Sequence, residues 1–458
     1  MATPGLMTQD PPIAVRLTGA TGRSAVDSGP PIAEPEPDFD VAVVGLGYVG
    51  LPTALAFHAA HRRVLGLDVS ERRLGVIRAR RADLLASDLG RLDDALADEE
   101  SGGGFAMTGE LAMLRRAAAV IVCVPTPVDQ FLVPDLTLLR GACAAVVENA
   151  VPGQVLVLTS TTYVGSTRDL LISPLTARGF RPGTDIFVAF SPERIDPGND
   201  RHAHEDVPRV LGGVTPRCAE RAAAVLSGYA RRVHVVGSTD AAEMTKLLEN
   251  TFRAVNIALV NEFADICRTM DMDVMDVIDA AATKPYGFMA FYPGPGVGGH
   301  CIPCDPHYLL WQLRRTRLST PVIEQAMAEI AARPTRVVAR IRETLSSAGK
   351  GLPGARVLVV GIAYKPDVED LRESPALEIM AGLLAAGAVV AYHDPYFPSA
   401  MLGDGSTLIG VSDPAGFDAD LVLIHTAHAH VEMSWITRHP LVLDATYRMT
   451  DVPSRVAL

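Results

Sequence analysis

The run DVAVVGLGYVG, starting at Asp40, constrains this chain more than any other segment. A short β-rich stretch breaks into three glycines, Gly45, Gly47 and Gly50, and the residues that follow, LPTALAFHAA, read as a helix. A second apolar stretch, RRVLGLD, then ends in Asp68. Strand, glycine turn, helix, strand, acidic residue is the order of a dinucleotide-binding βαβ unit. In that reading Gly45 permits the tight turn, Gly47 lets a pyrophosphate approach the backbone, and Gly50 lets helix and strand pack closely. Asp68 accepts hydrogen bonds from an adenosine ribose. An acidic group there repels a 2′-phosphate, so the expected cofactor is NAD, not NADP. Arg73 has two readings, a contact to ribose or adenine and a solvated helix residue, and the sequence does not separate them.

More buried-strand candidates follow, AAAVIVCVPTP, QVLVLTSTT, DIFVAFSPE and RVHVVG, each short, apolar and bounded by Gly, Pro or polar residues. From Thr239 to about Met272 the character changes: Gly and Pro nearly vanish, and a long helix is expected. Helical sequence continues to Ala282. A Gly/Pro-rich loop, YPGPGVGGHCIPCDP, and a helical stretch to about Ser347 come next. The α/β pattern resumes with GARVLVVGIAYKP, helical ESPALEIMAGLLAAG, and strand-like AVVAYHDP, LVLIHTAH and LVLDATY. The expected fold is α/β, two Rossmann-like domains with parallel sheets joined by a long central helix. The expected division is 1–38, a disordered Pro-rich tail; 39–238, a dinucleotide-binding domain; 239–347, a central helical domain; and 348–458, a second Rossmann-like domain.

Composition excludes several partners. The formal charge is −12, which argues against nucleic acid or an anionic membrane. No apolar run approaches the ~20 residues that span a bilayer, and the N-terminus does not read as a signal peptide. Six scattered cysteines in 458 residues do not resemble a disulfide framework, and a reducing, cytoplasmic compartment is expected.

Cys301, in GVGGHCIPCDP, sits in a polar, glycine-lined loop unlike the setting of a core cysteine. A thiolate there suits an oxidation in which an aldehyde is trapped as a thiohemiacetal, oxidised to a thioester and hydrolysed. A structural cysteine and a metal site are the competing readings. His300, Cys301, Cys304 and His307 are zinc-type ligands, but Pro303 and Pro306 restrict their convergence, and no metal is expected. On the long helix, Lys246, Asn250 and Arg253 fall on one side at spacings of four and three. A Lys and an Asn together suit an oxyanion, yet residue statistics alone favour a solvated face.

Three groups of segments together resemble the UDP-glucose/GDP-mannose dehydrogenase superfamily: GLGYVGLP; SPERIDPGN with EMTKLLENTFRAVNIALVNE; and PGPGVGGHCIPCDP with GIAYKPDVEDLRESPALEI. The resemblance runs from Asp40 to the C-terminus. It implies an NAD domain, a central dimer core, a C-terminal nucleotide-sugar domain and a four-electron oxidation using two NAD. It implies Cys301 as nucleophile, Asp305 with Thr126 positioning water, Lys246 and Asn250 stabilising oxygen at the reacting carbon, and Glu193 linked to thioester hydrolysis. A cation such as Lys246 is expected to lower the Cys301 pKa. Cofactor contacts are implied at Tyr48, Val49, Thr126, Thr161 and Arg372, besides the glycines and Asp68. Nucleotide-sugar contacts are implied at Glu193, Lys246, Asn250, Tyr292, Gly294, Gly296, Gly298, Tyr364, Lys365 and Arg448. GGHC before the nucleophile and ATKPYGFMAFYPGPG resemble the UDP-N-acetylhexosamine branch, and within it the UDP-N-acetylglucosamine 6-dehydrogenases. UDP-N-acetylmannosamine and UDP-glucose are the alternative substrates, and a non-catalytic NAD or nucleotide-sugar sensor is the alternative class. Cys304 stands where the family usually has an aliphatic residue or Lys, and His307 where an aromatic is common.

Overall fold

The computed structural model describes residues 37–194, 204–299 and 301–458. The expected tail therefore lies, up to residue 36, outside the described residues, as does His300. From Phe39 the chain builds β1 (Phe39–Val44), α1 (Gly50–Ala59), β2 (Val64–Leu67), α2 (Glu71–Arg78), α3 (Ala86–Ser101), β3 (Phe105–Thr108), β4 (Ala117–Val122), α4 (Thr137–Asn149), β5 (Val155–Leu158), α5 (Ser173–Ala177), β6 (Phe187–Phe190), β7 (Arg209–Gly213), α6 (Pro216–Leu226) and β8 (Val233–Val236). Four helices follow: α7 (Thr239–Thr269), α8 (Val274–Ala282), α9 (Asp305–Arg314) and α10 (Pro321–Ser347). The chain ends with β9 (Arg356–Val360), α11 (Pro375–Ala385), β10 (Val389–His393), β11 (Ser399–Met401), β12 (Thr407–Ile409), β13 (Leu421–Ile424), β14 (Val442–Asp444) and β15 (Arg455–Ala457).

The first sheet has the order β3-β2-β1-β4-β5-β6-β7-β8. Its inner strands are apolar on both faces because helices cover both sides, which is why they read as continuous Val/Leu/Ile runs. The sheet departs from the all-parallel expectation at one place: β7 pairs antiparallel with β6. The second sheet, β10-β9-β13-β14-β15, is parallel throughout. The fold is α/β with two Rossmann-like sheets, and α7 to α10 lie between them in the chain. Helix α7 starts at the expected residue, where the Ser238 hydroxyl accepts from the Ala241 N–H and caps it. It ends three residues before the expected Met272.

Candidate functional site

The turn between β1 and α1 is built as its glycines require. Gly45 has φ +89°, and a Cβ there would lie 2.5 Å from the Cys123 carbonyl oxygen. A Cβ on Gly50 would overlap the carbonyl of Gly45. Beside Gly47 there is open space, with no atom within 4 Å of where a Cβ would sit. That is the side from which a phosphate can meet the backbone at the start of α1. The Asp68 carboxylate turns back toward this loop, accepting from the Leu46 N–H and the Ser70 N–H, each at 2.9 Å. These residues fit a dinucleotide, with Gly47 open and the acid fixed at the end of β2.

Arg73 is half-buried, and its guanidinium is held by the protein. Its Nε donates to the Leu46 carbonyl at 2.7 Å and its Nη1 to Asp83 at 2.7 Å. It braces the glycine loop from behind because helix α2, capped by Ser70, projects it there. Val49 stands immediately before α1, half-buried. The Tyr48 ring lies under the guanidinium of Arg372, 4.5 Å from centroid to carbon. Arg372 is aimed by Asp370, which takes its Nη2 at 2.7 Å. The segment before α11 thus reaches the glycine loop of the first sheet.

Thr161 opens the loop after β5, and the structure supplies two clamps for that loop that sequence reasoning missed. The buried Glu243 of α7 accepts from Gly165 N–H, from Thr167 N–H and from the hydroxyls of Ser166 and Thr167. Gln312 of α9 takes both backbone groups of Val164, at 3.0 and 2.7 Å. Burial raises the Glu243 pKa, and the loop's donors pull it back. The spacing of Glu243, three residues before Lys246 and so on its helix face, was the available signal.

Cys301 is exposed, while the other five cysteines, Cys304 among them, are buried. The turn after it is closed by Asp305 N–H to the Cys301 carbonyl at 2.8 Å, which starts α9. Lys246 is buried, against the solvated expectation, and Arg253 is exposed. The Asn250 carboxamide donates to the Asp305 carboxylate. Burial pushes the Asp305 pKa up to about 6, with Lys246 and the Asn250 hydrogen bond opposing the rise. The Cys301 pKa is raised, contrary to the expected lowering. Close packing by protein comes first, the Asp305 charge adds to it, and the cations Lys246, Arg372 and Arg253 offset only part. Thr126 is buried at the same place, its carbonyl accepting from the Tyr308 hydroxyl of α9 at 3.2 Å.

Glu193, three residues after β6, is buried and accepts from Arg209 Nη1 at 2.6 Å and from the Arg194 N–H at 2.7 Å. Arg209, fully buried in β7, is a partner the sequence did not reveal. Loop Tyr292–Gly298 packs on the segment after β9. A Cβ on Gly298 would lie 2.6 Å from Tyr364 Cβ, and one on Gly296 2.7 Å from Pro375. Lys365 follows Tyr364 in that segment. Arg448 is exposed after Tyr447, and the Asp444 carboxylate is held by Arg455 at 2.9 Å. Among the described residues no three His, Cys, Asp or Glu side chains converge as a metal set.

Comparison with known proteins places this arrangement. Models of the UDP-glucose/GDP-mannose dehydrogenase family match in three consecutive parts: the NAD binding domain over residues 39–229, the central domain over 240–329 and the UDP binding domain over 358–451. The chain is 33% identical over 400 residues to a UDP-N-acetyl-D-glucosamine 6-dehydrogenase of Pseudomonas aeruginosa, covering 86% of this chain and 91% of that one. It is 33% identical over 350 residues to a UDP-N-acetyl-D-mannosamine dehydrogenase of Yersinia pestis, covering 74% and 81%. The structure of a UDP-N-acetylmannosamine dehydrogenase from Pyrococcus horikoshii superposes with a TM-score of 0.82 at 30% identity, covering 91% of this chain and 98% of that chain. The chain belongs to the UDP-glucose/GDP-mannose dehydrogenase family of NAD-dependent nucleotide-sugar dehydrogenases.

Proposed function

We propose that this enzyme oxidises the 6-hydroxymethyl group of a UDP-N-acetylhexosamine, UDP-N-acetylglucosamine first among them, to the carboxylate through covalent attachment to Cys301. The observation that carries this reading is the exposed Cys301 beside buried Lys246, with Asp305 held by Asn250 behind it. NAD supplies the hydride acceptor for each of two oxidations. Gly45, Gly47, Gly50, Tyr48, Val49, Asp68, Thr161 and Arg372 hold it, with Arg73 bracing the loop. Lys246 and Asn250 stabilise the oxygen at C6 as the alcohol gives up its proton. The Cys301 thiol adds to the aldehyde carbon, forming a thiohemiacetal, and loss of a second hydride leaves a thioester. Water, oriented by Asp305 and Thr126, then cleaves the C–S bond, giving the acid and returning the thiol. Glu193, held in place by Arg209, favours that hydrolysis. The nucleotide sugar lies against Tyr292–Gly298, Tyr364, Lys365 and Arg448.

Preference for N-acetylglucosamine rests on the GGHC and ATKPYGFMAFYPGPG segments. Relatives named for N-acetylmannosamine are equally similar, so turnover must decide. Following NADH absorbance with each of UDP-N-acetylglucosamine, UDP-N-acetylmannosamine and UDP-glucose tests the reading. Two NADH per sugar acid, fastest with the first, is expected. One NADH per sugar removes the role given to Cys301, and faster turnover on another sugar moves the substrate.

The same reading divides the chain at 238/239 and 347/348 and puts it in the cytoplasm as a homodimer or higher homo-oligomer. Support for the dimer comes from α7, where Met244, Leu248, Phe252, Leu259, Phe263, Ile266 and Met270 are exposed at helical spacing. A second copy of this helix is the occupant that such a stripe fits.

A further inference from the structure

Arg333, in α10, is one of the largest fully buried side chains, with 2% of its surface exposed. A guanidinium is costly to bury unless its N–H groups meet acceptors, so the positions of those acceptors matter. Its Nε donates to the Gly294 carbonyl at 3.0 Å. Its Nη1 donates to both oxygens of Asp265 on α7, each at 3.2 Å. The N–H of the same Gly294 donates to Asn261 Oδ1 at 3.0 Å, one turn earlier on α7. Both backbone hydrogen-bonding groups of Gly294 are thus committed to buried side chains of the central helices. On the loop's other side Gly296 and Gly298 lie hard against Pro375 and Tyr364, leaving no slack there.

We propose that Arg333 is a positioning residue for nucleotide-sugar binding, one buried side chain that fixes the Gly294 loop against the central helices. It rests on the reading above that this loop contacts the nucleotide sugar. Arg333 itself touches no substrate and acts through the backbone of Gly294.

The test uses the full-length protein with Arg333→Met, Arg333→Lys, Asn261→Ala and the Arg333→Met/Asn261→Ala double variant. UDP affinity is read by calorimetry, and KM is read separately for the UDP-sugar and for NAD. In Arg333→Met, Asp265 keeps Arg336 at 3.4 Å, so no buried carboxylate is left alone. Losing the charge-assisted bond to Gly294 is expected to weaken UDP binding and raise the sugar KM about tenfold. The NAD KM should stay within about twofold of wild type. Arg333→Lys keeps a cation beside Asp265 but not the bond to Gly294, and should fall between. The double variant should lose less than the product of the single losses, because both act on one glycine. Unchanged UDP affinity in a folded Arg333→Met protein overturns the proposal, as does an NAD KM that rises by the same factor. If Arg333→Met does not fold, Arg333→Lys decides by the same readings. Wild-type protein that binds UDP but turns over no UDP-sugar would instead sink the substrate reading, and the UDP affinities would still decide for Arg333.

Discussion

The Asn250 carboxamide, on the central helix, donates a hydrogen bond to the carboxylate of Asp305, which opens the helix after the cysteine loop. This bond joins the two segments that carry Lys246 and Cys301, and it ends on a carboxylate whose pKa burial has raised to about 6 from an ordinary 3.8. An acid raised in the folded state binds its proton more tightly there than in the unfolded chain. Stability therefore falls as pH climbs from about 4 to about 6, and the full cost remains above that range. Asp305→Asn should remove it. Unfolding at pH 8 should show the variant more stable by on the order of 2–3 kcal/mol, with little gain at pH 4. Its turnover should drop at least a hundredfold, and the acid limb of kcat/KM near pH 6 should disappear. Equal stability of the two proteins at pH 8 would mean that Asp305 is not strained by burial.

Cys301 should be the one cysteine that a soluble alkylating agent reaches in the native protein, because the other five are buried. Its raised pKa means little thiolate at neutral pH, so iodoacetamide incorporation should accelerate with pH and keep rising above pH 9. Lys246 opposes that rise, so Lys246→Met should slow labelling further at every pH below the plateau. Mass spectrometry of the labelled peptides checks both points, and label on Cys304, whose pKa burial raises to about 12, would contradict the buried thiol seen here.

Much of this site was legible in the sequence because its signals are local. The turn Gly45–Gly50 and the acid Asp68 belong to one βαβ unit, where residue type and spacing carry the backbone geometry. The cysteine loop announced itself through Gly298, Gly299 and Pro303. What was not legible depends on partners far along the chain. Glu243 meets Gly165–Thr167 across more than seventy residues, and Arg209 meets Glu193 across a strand pairing that the sequence hid. β7, RVLGG, was not among the expected strands, and it ends in two glycines. Lysine statistics pointed Lys246 outward, but the carboxylate of Asp305 gives it a counter-charge inside. The same burial reversed the expected direction of the Cys301 pKa, since local charge was visible in the residue types and desolvation was not.

Two glycines of the first turn should fail in different ways when changed to alanine. At Gly47 the added methyl meets nothing within 4 Å. Gly47→Ala should melt within about a degree or two of wild type, since surface changes away from packed features cost under ~0.5 kcal/mol. It should nevertheless bind NAD at least tenfold more weakly, because the methyl stands where the pyrophosphate approaches. At Gly50 the methyl overlaps the Gly45 carbonyl, and Gly50→Ala should destabilise the fold by about 1–3 kcal/mol or more. Thermal unfolding alongside NADH fluorescence titration separates the two, and a strongly destabilised Gly47→Ala would contradict the open space beside that residue.

Arg372 stands over Tyr48 from a segment more than three hundred residues away, aimed by Asp370. Removing it should loosen the glycine loop from the segment before α11 without touching either core. A cation over an aromatic face contributes about 0.5–1 kcal/mol at a partly exposed site. Arg372→Ala should therefore raise the NAD KM by roughly three- to fivefold or more, while UDP affinity stays within a factor of two. If UDP affinity falls and the NAD KM holds, the arginine serves the nucleotide sugar and not the cofactor.

The exposed stripe on α7 makes the last prediction. Leu248 is 64% exposed and Met270 63%, and Phe252 and Phe263 lie between them on the same face. A contiguous apolar face of this length is unfavourable in water and is relieved by burial against a matching surface. In an isologous pair each copy presents the same patch, so one added charge appears twice across the interface. Phe263→Glu should therefore convert a dimer into a monomer at micromolar concentration, as read by sedimentation velocity, and Leu248→Glu should do the same from the other half of the helix. Ala177→Glu, exposed on α5 and away from α7 in the chain, controls for charge alone and should stay dimeric. Wild-type protein that sediments as a monomer would leave the stripe to a different partner.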